Sequence, residues 1–221
     1  MHQPQLDRVS EWATSDAFRE ELARARKDFF ARTGGEVFED DKSVDSRLAT
    51  FLDWYLFDRP LEGRGMPPVV AFLEDHRAEL SPEDRAVHEA LTRSIHGIFE
   101  IRRVAKKERL RLRDLCTLQE YEVSERRQMA GLEKKDLFEA RLIPNGDDLL
   151  FSQAFCHHPR EVRKAILSEV KRRRKLGPIE VEPFIHQLSA MELKYERYRN
   201  VPIESIYAFE RPKTKRAAPA Q

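Results

Sequence analysis

The chain has 221 residues, of which 36% are charged and 40% hydrophobic, with 13 Phe and a formal net charge of +1. This length and composition predict a folded protein with a core of its own and a very polar surface. They exclude a membrane-spanning protein, because no stretch approaches the ~20 apolar residues of a span.

We expect a cytoplasmic protein. The N-terminus lacks the basic and apolar regions of a secretion signal. The two cysteines, Cys116 and Cys156, do not make a disulfide framework.

The charge is unevenly distributed along the chain. Residues 1–96 contain 13 Lys and Arg against 20 Asp and Glu, a net charge of −7. Residues 97–158 contain 12 against 11, a net +1, and residues 159–221 contain 15 against 8, a net +7. Either the acidic front and the basic back attract each other within one fold, or the basic back meets phosphate.

Residues 1–96 are predicted to form a helical N-terminal region. Apolar residues recur at helical spacing between Ser and Pro residues that typically begin helices. The first helix ends near Arg32, before Gly34 and Gly35. The predicted starts are Thr14 or Ser15, Val44, Pro67-Pro68 and Ser81.

Residues 97–158 are predicted to form five short antiparallel strands. Apolar and polar residues alternate there between turn residues, which is typical of half-buried strands. We expect a small closed β-barrel, with an open sheet covered by helices as the alternative. Because helices and strands do not alternate along the chain, the fold class is α+β.

Two hairpins follow from this pattern. Asn145-Gly146 between apolar runs predicts a type I′ turn that pairs Leu142 with Leu149 and Ala140 with Phe151. A turn at Thr117-Leu118 would place Arg113 opposite Glu122, an attractive cross-strand pair.

Residues 159–210 are predicted to form C-terminal helices that pack on the rest. One helix begins at Pro159 and ends in the basic run Lys171–Lys175, before Gly177-Pro178; the last long helix begins at Glu182-Pro183. Residues 211–221 are polar and basic, which predicts a disordered tail.

The segment Phe51–Leu61 resembles an FxxWxxFD-type helix of uncharacterised bacterial proteins with a small β-barrel. Leu112-Arg113-Asp114-Leu115 and Lys135-Asp136-Leu137-Phe138 stand at places comparable to strands of those proteins, so the resemblance covers about residues 43–156. Some of these proteins carry an added SEC-C zinc-binding segment, which needs several closely spaced cysteines. With only two distant cysteines, this chain has no such segment, and the zinc role implied by the resemblance is not carried over.

Metal binding and catalysis find little support in the sequence. Cys116, Cys156 and His158 are candidate zinc ligands, but no close Cys pair anchors a tetrahedral site, so we predict a structural role for them, with no metal site and no cofactor. Asp53 and Asp58 lie five residues apart on a helix, which makes them a poor carboxylate pair. No nucleophile or phosphate-loop motif occurs, so we predict no catalytic residues and consider an enzyme the less favoured class.

The sequence therefore predicts a non-catalytic binding or regulatory module, with nucleic acid and protein partners both open. Basic residues on the first two strands and the following helix would contact phosphate. They are Arg102, Lys106, Lys107, Arg109, Arg111, Arg172, Arg173 and Arg174. The alternative is a protein-interaction adaptor or homodimer that uses an apolar helix face of heptad spacing. That face comprises Phe184, Leu188, Met191, Tyr195 and Tyr198.

Overall fold

The computed structural model of the protein describes residues 3–105, 109–124 and 132–209. Its architecture is α+β: a five-stranded antiparallel sheet lies between N-terminal and C-terminal helices. The predicted fold class is confirmed in its open form. The two edge strands of the sheet are not hydrogen-bonded to each other, so the sheet does not close into a barrel.

Five helices precede the sheet. They are α1 (Gln3–Ala13), α2 (Arg19–Arg32), α3 (Val44–Phe57), α4 (Pro68–His76) and α5 (Pro82–Leu91). The sequence predicted all of them except α1, whose residues are mostly polar and of which only Val9 and Ala13 are fully buried. Ser81 caps α5 as predicted, because its hydroxyl accepts a hydrogen bond from the backbone N–H of Asp84 at 3.1 Å.

Aromatic side chains of α2 and α3 form the core of the N-terminal region. Phe29, Phe30, Phe51, Trp54 and Tyr55 are each less than a tenth exposed and pack ring against ring. Burying rings of this size removes a large apolar area from water and is a major stabilising contribution to this part of the fold.

The sheet contains β1 (Ile95–Ala105), β2 (Arg109–Asp114), β3 (Glu120–Ser124), β4 (Leu137–Asn145) and β5 (Asp148–His158), in the spatial order β3-β2-β1-β4-β5. The sheet curls until β3 and β5 approach each other. Its concave face therefore encloses a core made of strand residues. The residues of this core that are at most 3% exposed are Phe99, Ile101, Leu110, Leu112, Val123, Phe138, Ala140 and Leu142.

The β4–β5 hairpin has a different register from the predicted one. Leu142 lies opposite Phe151 and Pro144 opposite Leu149, two residues away from the predicted pairing. The two central residues of the turn are Gly146 and Asp147. Of these two, only Gly146 has a positive φ, of +61°. One positive φ at the first central position is typical of a type II′ turn, so the predicted type I′ turn was wrong. The predicted apolar face survives because a shift of two residues keeps each side chain on its face.

The β2–β3 hairpin is also shifted by two residues. Arg113 lies opposite Glu120, and Glu122 lies opposite Arg111. The cause is Asp114, whose carboxylate accepts hydrogen bonds from the backbone N–H of Cys116 at 2.7 Å and from the hydroxyl of Thr117 at 2.8 Å. This side-chain closure supports a longer loop than the sequence pattern predicted.

Within the described residues, three helices follow the sheet: α6 (Arg163–Leu176), α7 (Val181–Arg197) and α8 (Ile203–Ile206). As predicted, α6 ends before Gly177, which has a φ of +147°. Phe184 and Leu188 of α7 pack with α6 and α8 on the convex face of the sheet. On its other side α7 meets α3, where the indole N–H of Trp54 donates to Glu182 at 2.9 Å.

Candidate functional site

A buried network of charges links α3 to the sheet. Arg141 of β4 is 2% exposed, and its guanidinium pairs with two carboxylates of α3 and its C-terminal end, Asp53 at 2.6 Å and Asp58. His96 of β1 joins Asp58 at 3.1 Å to Glu139 of β4 at 3.3 Å. We call these five residues the Arg141 network. Pairing of this kind offsets much of the free energy that burying these charges costs.

The partners in the Arg141 network control each other's protonation. Burial and the nearby Arg141 oppose a charge on His96, but its hydrogen bonds to Asp58 and Glu139 outweigh them and raise its pKa to about 9. Burial likewise opposes the charge on Asp58, yet His96 and Arg141 lower its pKa to about 2. At neutral pH Asp58 is therefore ionised and His96 protonated, next to the guanidinium of Arg141.

The sequence predicts that Asp53 and Asp58 are a poor carboxylate pair because of their five-residue spacing; in the structure both carboxylates pair with Arg141. Five-residue spacing places two residues on different faces of a helix. Asp58, however, is the C-cap residue just after α3, with a φ of −117°. The chain turns there, and the long side chain of Arg141 reaches both carboxylates. Five-residue spacing on a helix does not exclude a shared partner when the second residue ends the helix.

Ser189 of α7 connects the Arg141 network to a second buried cation. Its hydroxyl donates to Glu139 at 3.2 Å, and its backbone carbonyl accepts from the guanidinium of Arg47 at 3.2 Å. Arg47 also donates to the carbonyl of Thr33 at 2.6 Å and to its hydroxyl at 2.9 Å. All of these partners of Arg47 are neutral.

Arg47 is 5% exposed, and its Nε is buried without a hydrogen-bond partner. Burial lowers the pKa of Arg47, while Glu192 and Glu139 lie near enough to favour its charge. Within the described part of the chain, however, no carboxylate forms an ion pair with it. Arg47 is thus a buried cation held by neutral groups, an arrangement that costs free energy in the absence of a counter-ion.

Arg47 lines a cavity of about 420 Å³ between α3, β5 and α7, which we call the Arg47 cavity. Its walls include the rings of Phe29, Phe155, His157 and Tyr195. The Phe155 and His157 rings are nearly parallel, at 12°, with their centroids 6.0 Å apart. The cavity is therefore a largely apolar space with flat walls, and cavities of this kind and size commonly take small organic molecules.

Four further charged side chains line the Arg47 cavity: Lys42, Glu192, Glu196 and Arg199. Glu192 is half-buried, and within the described residues its carboxyl forms no hydrogen bond or ion pair. Burial raises the pKa of Glu192 to about 7; Arg47 opposes this rise, and Glu196 and Glu139 add to it. A carboxyl that titrates near neutral pH in a cavity is a frequent feature of functional sites.

The candidate zinc ligands lie in different surroundings. Burial raises the pKa of the Cys116 thiol to about 12 and raises that of the Cys156 thiol well above its usual value. Burial lowers the pKa of His158 to about 4, and its Nδ1 lies 3.4 Å from the Tyr207 hydroxyl. Among the described residues, no three His, Cys, Asp or Glu side chains are grouped to hold a metal ion. Both thiols are protonated at neutral pH, and Cys156 lines the Arg47 cavity.

Most of the predicted phosphate-binding residues form ion pairs within the chain. Lys106 and Lys107 lie outside the described residues. The pairs are Arg102 with Glu100 at 2.7 Å, Arg109 with Asp148 at 3.2 Å, Arg111 with Glu122 at 3.4 Å, and Arg172 and Arg173 with Glu169 at 2.6 and 2.7 Å. Arg174 is exposed and, among the described residues, makes no such pair.

The predicted apolar face of α7 is divided by the fold. Phe184 and Leu188 are fully buried inside the chain, and Met191 is partly buried. Tyr195 and Tyr198 are 36% and 56% exposed, near the C-terminal end of α7.

Sequence reasoning missed Arg47 and Glu192. Arg47 is a charged residue in the mostly apolar helix α3. That was the available signal in the sequence, because a charged side chain on a buried helix face needs polar partners. Glu192 gave no signal of its own, since its surroundings come from α3, β4 and β5.

The comparisons with known proteins agree with an uncharacterised family. Neither a curated protein nor a solved structure matches the chain. No helix of the described residues combines the length and the apolar character that crossing a bilayer requires. A family model matches residues 19–185, which contain the sheet, the Arg141 network and Arg47. The chain therefore belongs to a family of unknown function, DUF7986.

Proposed function

We propose that this protein is a binding module for a small anionic organic molecule, which occupies the Arg47 cavity. The observation that carries the proposal is the guanidinium of Arg47, a buried cation on the cavity wall without an ion-pair partner among the described residues. The binding role predicted from the sequence is kept, with a small anionic molecule as the proposed ligand in place of nucleic acid or a protein.

A buried charge without a counter-charge costs free energy. A guanidinium taken out of water loses several kcal/mol of hydration, and neutral carbonyl and hydroxyl partners return only part of it. An anion in the cavity would supply the missing counter-charge and make charge-assisted hydrogen bonds, which are about twice as strong as neutral ones. The fold holds Arg47 in place beforehand through Thr33 and Ser189, so binding does not have to order its side chain.

The cavity walls support an organic ligand over a bare ion. The rings of Phe29, Phe155 and Tyr195 offer apolar surface for a ring or a hydrocarbon chain. A volume of about 420 Å³ is within the range of roughly 300–1,000 Å³ that small-molecule sites have.

The test compares a carboxylate with its neutral analogue. Titration calorimetry would measure binding of 3-phenylpropionate, 3-phenylpropanamide, phenyl phosphate and inorganic phosphate at millimolar concentration. We expect an anion to bind and 3-phenylpropionate to bind about 10- to 100-fold more tightly than its amide, the ratio for losing one charged hydrogen bond. Binding of none of the anions, or equal binding of carboxylate and amide, would contradict the proposal.

Two variants locate the site. Arg47→Gln should remove the preference for the carboxylate. Ser46→Trp places a large ring at the cavity wall from an exposed position, so it should block binding without disturbing the core. Unfolding curves of both variants would establish that they are folded.

Nucleic-acid binding is the alternative proposal. Its support is the outer face of β1 and β2, where Arg103 lies opposite Arg111, and the exposed Arg174 on α6. Affinity for single-stranded RNA or DNA that falls steeply with salt, and further in the Arg172→Ala, Arg173→Ala, Arg174→Ala triple variant, would favour it. Absence of binding at low salt would remove it.

A protein-interaction or homodimer role through Tyr195 and Tyr198 also stays a prediction. Both rings are exposed enough to contact a partner. Light scattering over a concentration series tests the dimer, and a monomer at every concentration would exclude it.

A further inference from the structure

We infer that the occupant of the Arg47 cavity is a zwitterion of the α-amino-acid class, with its carboxylate toward Arg47 and its amino group toward Glu192. This inference rests on the proposed function and names the chemistry of its ligand. It starts from a second feature of the cavity, the carboxyl of Glu192.

Arg47 and Glu192 lie close together without neutralising each other. Arg47 donates to the carbonyl of Ser189, and Glu192 follows Ser189 by three residues on α7, which places it about one helical turn, or ~5 Å, further along the same face. They influence each other's protonation, yet no ion pair joins them. A cation and a carboxyl that face one cavity separately match a ligand with both charges.

Arg47 and Glu192 select ligand groups of opposite charge. Arg47 donates hydrogen bonds and cannot accept them, so it selects an anion or another acceptor. An ionised Glu192 only accepts hydrogen bonds and attracts an ammonium. A simple anion would satisfy Arg47 and be repelled by ionised Glu192, whereas an amino acid satisfies both.

The protonation of Glu192 supports the same assignment. Its pKa of about 7 means that roughly half of the molecules hold a neutral carboxyl at neutral pH. An ammonium beside the carboxyl would lower that pKa, so binding an amino acid would release protons. A ligand that carries only a carboxylate would raise the pKa, and its binding would take protons up.

Other charged or titratable groups also surround Glu192, and the test has to separate them from it. They are Lys42 from the loop before α3, Arg47 from α3, Glu139 from β4, Cys156 and His157 from β5, Tyr195 and Glu196 from α7, and Arg199 just after α7. Burial lowers the pKa of His157, so His157 is neutral at pH 7 and would exchange few protons there.

The experiment uses three probes that share one ring. L-phenylalanine carries both charged groups, 3-phenylpropionate lacks the amino group, and 2-phenylethylamine lacks the carboxylate. We expect L-phenylalanine to bind at least about tenfold more tightly than either analogue, because it keeps one more charged hydrogen bond. Glu192→Gln should reduce its affinity about tenfold and leave 3-phenylpropionate unchanged or tighter. Glu180→Gln, at an exposed residue just before α7 and outside the cavity lining, is the matched control and should change little.

Calorimetry at pH 7 in two buffers of different ionisation enthalpy measures the sign of proton exchange. We expect proton release with L-phenylalanine and none in Glu192→Gln. If 3-phenylpropionate or the phosphate probes bind as tightly as L-phenylalanine, or if protons are taken up with L-phenylalanine, the zwitterion inference is wrong and the proposed function stands. If no anionic probe binds, both are wrong.

Discussion

The carboxyl of Glu192 should destabilise the folded protein above neutral pH, and Glu192→Gln should remove that effect. Its pKa is raised from 4.5 to about 7 in the folded state, chiefly by burial. Between these values the folded state holds more protons than the unfolded one, so stability falls as pH rises through this window. The shift of about 2.5 pKa units corresponds to roughly 3 kcal/mol between pH 4.5 and pH 8.

Urea unfolding followed by Trp fluorescence measures this directly. Trp54 is 2% exposed and lies beside α7, so its emission reports the unfolding of this region. We expect Glu192→Gln to be more stable than the wild type at pH 8 by up to roughly 3 kcal/mol relative to their difference at pH 4.5. Glu180→Gln makes the same chemical change at an exposed residue outside the cavity and serves as the control. A difference between wild type and Glu192→Gln that stays constant from pH 4.5 to pH 8 would refute the reasoning.

Three further predictions concern stability. Arg141→Met leaves the buried carboxylates of Asp53 and Asp58 without their cation and should lower the free energy of unfolding by about 3–5 kcal/mol in urea titrations; a loss below 1 kcal/mol would contradict the pairing. The pKa of His96 is raised above its unfolded value to about 9, so its contribution to stability is full below pH 6.5 and should disappear as pH rises through 9. The urea midpoint of the wild type should therefore decline over this range, and that of His96→Gln should not. Ser81→Ala should cost about 1 kcal/mol by removing the cap of α5, and an unchanged midpoint would show that the cap contributes nothing.

Local patterns in the sequence predicted most of the helices and strands because each element carries its own periodicity. The predicted Ser81 cap and the Gly177 stop are such local signals, and the structure confirms both. The hairpin registers failed where a single side chain altered the turn, as the Asp114 carboxylate does between β2 and β3. Turn geometry of this kind depends on hydrogen bonds that residue alternation does not encode.

The residues of the candidate site could not be predicted from the sequence, for a different reason. Arg47 is a candidate site residue only because neutral groups of Thr33 and Ser189 hold its buried guanidinium. These two residues are 14 and 142 positions away in the sequence. The same holds for Arg141, whose partner Asp53 is 88 residues away. Distances of this kind are set by how α3, β4 and α7 pack, and no local pattern specifies them.

The most direct test of the account is the affinity ratio of 3-phenylpropionate to 3-phenylpropanamide, measured by calorimetry on the wild type and on folded Arg47→Gln. We expect a ratio of about 10 to 100 in the wild type that falls to about 1 in the variant, because Arg47 is the buried cation of the cavity, whereas Lys42 and Arg199 are exposed to water. A ratio near 1 in the wild type, or an unchanged ratio in Arg47→Gln, would contradict the claim that this buried guanidinium is an anion site.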